Sequence, residues 1–491
     1  MLPLGADPMV ERATLTGLAS VVALVVATGS AEAQCDSRLR ELSSDPFTNS
    51  TSQHGTEVEP DTFVFGSTIV TTFQVGRFFD GGASDIGWAT STDGGANWSK
   101  GFLPGITKLQ GAGPYDRVSD PSVAYDVPHA AWLISSLALV EHGTNVNSPA
   151  VVVSRSVDGG LTWANPVTVG TGADLDKNWT VCDTTAASPF YGNCYTEYDD
   201  AGANNQLRMA TSTNGGLTWT QASVPTTSVI GGQPVVQPNG TVIVPLNNGS
   251  QSRVQAVTST DGGASYAGPV TIAIIAAHPV SGNLRTSPLP SAEIDGAGRV
   301  YVAWQDCRFR SGCASNDIVF STSSDGTTWF APSRVPIDPT TSTVDHFIPG
   351  LAVDKTTAGA SAHLGLTYYY YPNAACSAAS CQLSVGFISS TNGGASWSAP
   401  TQLGSPMSLG WLPSTTQGVM VGDYISTSFA GGLAYPVFAL ATAPSGSTFH
   451  EAMYTASAGF AVSGGSATAS AEGAAVSPRV GLESEAPRTA R

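Results

Sequence analysis

The 491 residues carry 20 basic and 37 acidic side chains, a formal charge of −17, and only 12% of them are charged. Phosphate backbones are bound by concentrated basic surface, so this balance excludes nucleic acid as a partner. Gly and Pro make up about 17% of the chain, below the roughly 25–30% of disordered sequences; with 41% apolar residues, a folded, turn-rich protein is expected.

In chain order, the first element is an address. Leu15 to Ala27 is an uncharged run that follows Glu11 and Arg12 and precedes Ala31-Glu32-Ala33, the small-x-small pattern that fits the narrow pocket of a signal peptidase. Residues 1–33 therefore read as a signal peptide cleaved near Ala33. The run is too short for a bilayer core that takes about 20 helical residues, and no later segment reaches that length, so a secreted or periplasmic chain without a membrane span is expected. Residues 34–55 read as a polar lead-in. The cysteines suit that address: Cys182/Cys194, Cys307/Cys313 and Cys376/Cys381 lie close in pairs and read as three local disulfides, with Cys35 left over. No pair has the spacing of a zinc site, and no metal is expected.

From Ser91 onward one string recurs: Ser91-Thr-Asp93-Gly-Gly-Ala-Asn-Trp98, Ser156-Val-Asp158-Gly-Gly-Leu-Thr-Trp163, Ser212-Thr-Asn214-Gly-Gly-Leu-Thr-Trp219, Ser259-Thr-Asp261-Gly-Gly-Ala-Ser-Tyr266, Ser323-Ser-Asp325-Gly-Thr-Thr-Trp329 and Ser390-Thr-Asn392-Gly-Gly-Ala-Ser-Trp397. The Asp/Asn positions recur about every 60 residues, so each interval is one supersecondary unit of a repeat architecture. The string reads as a turn: Asp or Asn accepts from turn amides, Gly takes positive φ, and the aromatic packs beneath. One carboxylate per turn is far from the six to eight oxygens that calcium takes. Between turns, segments such as Asp120-Pro-Ser-Val-Ala-Tyr-Asp126 and Ala131-Trp-Leu-Ile-Ser135 alternate with period two and read as strands. Four-stranded antiparallel units repeated in this way imply an all-β fold, a β-propeller. Residues 56–456 hold it. A boxless stretch with strands expected over Val419–Ser426, Leu433–Ala441 and Phe449–Ala456 closes a seventh blade, with six blades as the alternative. Residues 457–491, rich in Ala, Ser and Gly, read as a disordered tail.

These turns resemble the Asp-box, or bacterial neuraminidase repeat, of the sialidase superfamily, and the order of strand, turn, strand and box runs through nearly all of residues 56–456. Asp174-Leu-Asp-Lys-Asn-Trp179, Trp304-Gln-Asp-Cys-Arg308 and Val421-Gly-Asp-Tyr424 add to the resemblance. It implies an exported glycoside hydrolase of the exo-α-sialidase type that acts on terminal sugars of glycans, without a cofactor and expected as a monomer. The family's order of an Arg, an Asp, a Glu, two more Arg and a Tyr is met by Arg77, Asp120, Glu197, Arg285, Arg308 and Tyr424; Asp423 adjoins Tyr424, and Arg117 lies in the same set of loops. Arginine forks clamp a sugar carboxylate, while Tyr, Glu and Asp supply nucleophile, base and acid. A ligand funnel is expected on the face opposite the boxes. The bland readings are salt-linked loop anchors for Arg77 with Asp80 and for Arg308 with Asp306, a turn cap for Asp120, and a structural role for Glu197.

Fold alone does not assign chemistry. A non-catalytic propeller that binds glycans or a surface protein, and a polysaccharide lyase or other glycan-cleaving enzyme on the same scaffold, are the alternatives. Three guanidinium groups converging on one pocket distinguish the hydrolase, a flat or apolar face the binder, and a long open groove the lyase.

Overall fold

The computed structural model describes residues 36–465, 467, 468, 470 and 471. The expected signal peptide, Cys35 and the end of the tail lie outside them. Among the described residues the secondary structure is strand, with a few 3-10 turns and no α-helix, and no helix is long and apolar enough to cross a membrane.

The strands form successive antiparallel meanders. The first runs through Gln53–Phe65, Thr68–Arg77, Ala83–Ser91 and Ser99–Phe102, the second through Arg117–Asp126, Ala131–His142, Asn145–Ser156 and Val167–Thr171. Leu175–Cys182, Cys194–Asp200, Gln206–Ser212 and Thr220–Gln221 follow. In the next meander the first strand is split into Val229–Ile230 and Val235–Val236, ahead of Val242–Asn248, Arg253–Ser259 and Ala267–Ile274. Ser291–Ile294, Val300–Asp306, Asp317–Ser323 and Ser333–Arg334 form another, and Asp345–Val353, Leu364–Tyr371, Gln382–Ser390 and Thr401–Ser408 another.

The last meander is built from both ends of the chain. Ser426–Ala430, Leu433–Ser445 and Thr448–Ala456 supply three strands, and Leu39–Glu41 pairs antiparallel with the third, Leu39 opposite Ala456. The lead-in thus fills a sheet edge that would otherwise expose unpaired backbone groups. The strand expected from Val419 begins only at Ser426; Gly418–Val419 instead closes a two-strand hairpin with Ser414–Thr415. The expected tail carries short strands over its first part: Phe460–Ala461, Ala467–Thr468 and Ser470–Ala471 pair with Leu433–Ala434, Ser396–Trp397 and Ser333–Arg334.

Each repeated turn joins the third and fourth strands of a meander, and its hydrogen bonds explain its composition. Ser91 Oγ accepts from Gly95 N at 2.8 Å and donates to Asp93 Oδ1, which also accepts from Asn97 N. The pattern repeats at Ser156, Ser212, Ser259 and Ser390. At Ser323 the string is one residue shorter, and Gly326 N takes the place of the fourth amide. The indole N–H groups of Trp98, Trp219, Trp329 and Trp397 donate to the second-glycine carbonyl or its counterpart. The core lies between neighbouring meanders, where buried residues such as Trp132, Trp304 and Tyr369 interdigitate. Disulfides join Cys182 to Cys194, Cys307 to Cys313 and Cys376 to Cys381.

Candidate functional site

A second regularity lies in the first strands. Their register slips between Val58 and Asp61, Ser119 and Ser122, Asp176 and Trp179, and Phe347 and Gly350. At each slip one residue holds a positive φ: Glu59 (57°), Asp120 (50°), Lys177 (34°) and Ile348 (49°). Glu59, Asp120 and Ile348 precede a proline, which removes a ladder donor and suits a bulge. A left-handed backbone is costly for such side chains, so its recurrence marks a place where the fold forces side chains out of the strand's ordinary alternation.

Three of these bulges bring charge to one locus. Glu59, 2% exposed, feels the charges of Asp120, Asp423, Arg77 and Arg285. Gln74 Nε2 donates to its carboxyl, and Arg77 Nη1 donates to Gln74 Oε1 at 3.1 Å. Arg285 forms an ion pair with Asp423. Lys177 Nζ lies 3.6 Å from the centre of the Tyr424 ring and 4.5 Å from that of Trp179, and Tyr424 donates to the Pro121 carbonyl at 3.3 Å. Asn178 fixes the second bulge through the Asp120 carbonyl, at 2.6 Å. Gly422 lets the chain enter this crowd: its φ is 117°, and a Cβ there would lie 3.1 Å from Glu59 N.

Burial sets the protonation of the group. It pushes Glu59 well above the usual carboxylate range, the charges of Asp120 and Asp423 push further, and Arg77 and Arg285 oppose them. Burial thus favours the protonated, proton-donating form of Glu59. Glu197, fully buried on the second strand behind Lys177, is pushed by burial up to about 8, against the pull of that lysine. Tyr424 is raised by burial and then by Glu59, Asp120, Asp61 and Asp423, so it stays a phenol.

The predicted residues divide. Arg77, Asp120, Arg285, Asp423 and Tyr424 come together, and Glu197 adjoins them through Lys177. Arg117 and Arg308 are held elsewhere. Arg117 pairs with Asp80 and Glu141 and stacks 3.9 Å over the Phe78 ring, while Arg308 pairs with Asp306 and donates to the Ile274 carbonyl, the loop-anchor role. Asp80 serves Arg117. Glu59 and Gln74 were not singled out from the sequence; the available signal was that Glu59-Pro60 repeats Asp120-Pro121 one meander earlier.

On the far side of this group, a cavity of about 220 Å³ is lined by Asp61, Phe63, Trp179, Gln233, Glu293 and Lys355, among others. An adjoining one of about 470 Å³ reaches the turns at Gly66 and Gly431–Gly432. Turns between first and second strands share an end of an antiparallel meander with those between third and fourth. This axial cavity therefore lies toward the face of the repeated turns, whereas Arg77 ends the second strand of its meander, away from them. Asp61, pushed by burial up to about 7, accepts from Val123 N and Ser426 Oγ and ties the first meander to the second and the last. Among the described residues one trio of metal-type ligands meets, Asp317, Asp338 and His346. Arg310 and Arg334, both buried, ion-pair with both aspartates, so the trio is already neutralised.

No protein-family description and no curated protein sequence matches the chain. Solved structures are similar at low identity. A Dyadobacter fermentans protein described as of unknown function is 16% identical, with a TM-score of 0.46, over 72% of this chain and 99% of that one. A leech intramolecular trans-sialidase is 13% identical, TM-score 0.43, over 67% of each chain. A Trypanosoma rangeli sialidase is 16% identical, TM-score 0.46, over 71% of this chain and 57% of that one. The chain, nearly all β among its described residues, is similar to these proteins.

Proposed function

We propose that this chain is an exported β-propeller of the sialidase type, with seven four-stranded blades and Asp-box turns, and that it acts on terminal sugars of glycans as an exo-α-sialidase-type glycoside hydrolase. The single observation behind this reading is the convergence, from separate meanders, of two arginines, a buried glutamate, two aspartates and a tyrosine. Buried charge of this kind is costly to a fold and clusters where it is used. Arg285 is the guanidinium for a sugar carboxylate, which would displace Asp423 from it; Glu59 is the proton donor to the leaving oxygen.

A second reading, a non-catalytic glycan-binding propeller, is favoured by Tyr424. Its hydroxyl is engaged by the Pro121 carbonyl and its environment opposes ionisation, the reverse of an activated nucleophile. Arg77 and Arg285, without Arg117 and Arg308, also fall short of a threefold clamp.

The deciding measurement is release of a fluorogenic leaving group from an α-linked sialoside, by the wild type and by the variants Glu59→Gln and Tyr424→Phe. The hydrolase reading expects turnover that falls at least 100-fold in each variant. Absence of turnover at high protein concentration, with retention of the chain on a sialylated glycan array, would replace it with the binding reading.

A further inference from the structure

The axial cavity toward the repeated turns is lined by side chains that the buried charge cluster does not use. Its inner part of about 220 Å³ and the adjoining part of about 470 Å³ share Phe63, Thr184, Glu293 and Lys355 as walls. They form one passage, within the roughly 300–1,000 Å³ of small-molecule sites. Space between packed sheets is common, so the volume alone decides nothing. The lining side chains do.

Gln233 is 6% exposed. Its Oε1 accepts from Ala292 N at 2.8 Å, while its Nε2 has no acceptor among the described residues and keeps accessible surface in the cavity it lines. A mostly buried amide with an idle donor is completed by whatever enters beside it. Trp179 is half-buried. Lys177 lies over one face of its ring and Tyr424 meets the ring edge-on at 5.3 Å, and the remaining surface lines the cavity. Charge in the passage is balanced: burial raises the Glu293 carboxyl, the Lys355 ammonium opposes that rise, and Lys355 Nζ lies 5.0 Å from the centre of the Phe63 ring. Among the described residues no arginine lines either part.

These walls select a class of ligand. An anionic sugar lacks the guanidinium fork that holds a carboxylate, and a cationic guest meets the Lys355 ammonium on the aromatic face that would attract it. A neutral sugar ring presents C–H faces to aromatic walls and hydroxyls to both donors and acceptors. We propose that this passage is a second ligand site that holds an uncharged sugar ring, with Trp179 and Phe63 as apolar walls, Gln233 Nε2 as donor and the Glu293 carboxyl as acceptor for its hydroxyls. The site stands whether or not the arginine cluster is catalytic.

The test titrates the full chain by calorimetry with methyl pyranosides of glucose, galactose and mannose, and with free sialic acid and tetramethylammonium as charged probes. Gln233→Glu keeps the acceptor for Ala292 N and removes the donor. Thr184→Phe, at a half-buried wall common to both parts, fills the passage and leaves the amide in place. A neutral pyranoside should bind the wild type and Arg285→Lys equally, bind Gln233→Glu roughly tenfold more weakly, and fail to bind Thr184→Phe, with cooperative melting of each variant as the check on folding. Three results overturn the proposal: no pyranoside binding to the wild type at concentrations that reveal millimolar affinity, binding unchanged in either Gln233→Glu or Thr184→Phe, or tighter binding of a charged probe that Thr184→Phe abolishes. Absence of sialoside turnover alters none of these readouts.

Discussion

The repeated turns and the first-strand bulges recur in the same meanders, but they repeat different things. The turns repeat their residues: a Ser, an Asp or Asn, a Gly and an aromatic, each with the same hydrogen bonds. The bulges repeat only their backbone, a positive φ carried in turn by Glu59, Asp120, Lys177 and Ile348. A device that serves the scaffold keeps its chemistry from unit to unit. One that serves a site keeps its geometry and lets each side chain differ, because each unit contributes a different group to one locus.

Substitution should separate the two. Arg285→Ala leaves Asp423, 7% exposed, without the cation that pairs it; a stability loss of about 3–5 kcal/mol is expected, together with loss of sialoside turnover or binding, read by denaturant unfolding and by the sialoside assay. Equal function at reduced stability would remove the bulges from the site.

The pH response should differ in sign. Glu197 keeps its proton in the folded chain up to about 8 because it is buried. The unfolded chain releases it near 4.5, so stability is full below that value and falls as pH rises through about 8. Glu197→Gln should flatten this alkaline decline in a melting-temperature profile. The turn aspartates act the other way. Asp158 is held at about 2, first by the Thr162 hydroxyl, so its contribution is present above about 4 and disappears as pH falls toward 2. Asp158→Asn should soften only that acid limb.

The smallest expected effect is at a single turn. Ser390→Ala removes one acceptor for Gly394 N and one donor to Asn392, a loss of about 1–2 kcal/mol, with sialoside turnover unchanged. A larger loss would show that the turns stabilise one another.

Most of the scaffold was legible because its signals are local. Six turn strings and the strands beside them need only near neighbours to be read, and so do the cysteine pairs, which close short loops. The group at the axis was half legible. Asp423 and Tyr424 stood out as a polar pair in an apolar strand, and Asp120 and Arg285 were reached through the family's order of residues, but nothing local distinguishes Arg77, which joins them, from Arg117, which is neutralised by Asp80 and Glu141. Glu59 was hidden because Glu-Pro reads as a strand start, and its shift comes first from burial and then from Asp120 and Asp423, both more than sixty residues away. Leu39–Glu41 carries no period that marks a strand. Its partner strand supplies the reason for its conformation, and that strand lies at the other end of the sequence.

That pairing bears on the order in which the protein is made. Met453 N reaches Ser43 Oγ across 410 residues, so a segment made early waits for one made much later. Until Thr448–Ala456 exists, Leu39–Glu41 has no partner and the final sheet has no fourth strand. Closure of such long-range contacts is slow, and the final sheet is complete only once both segments are available.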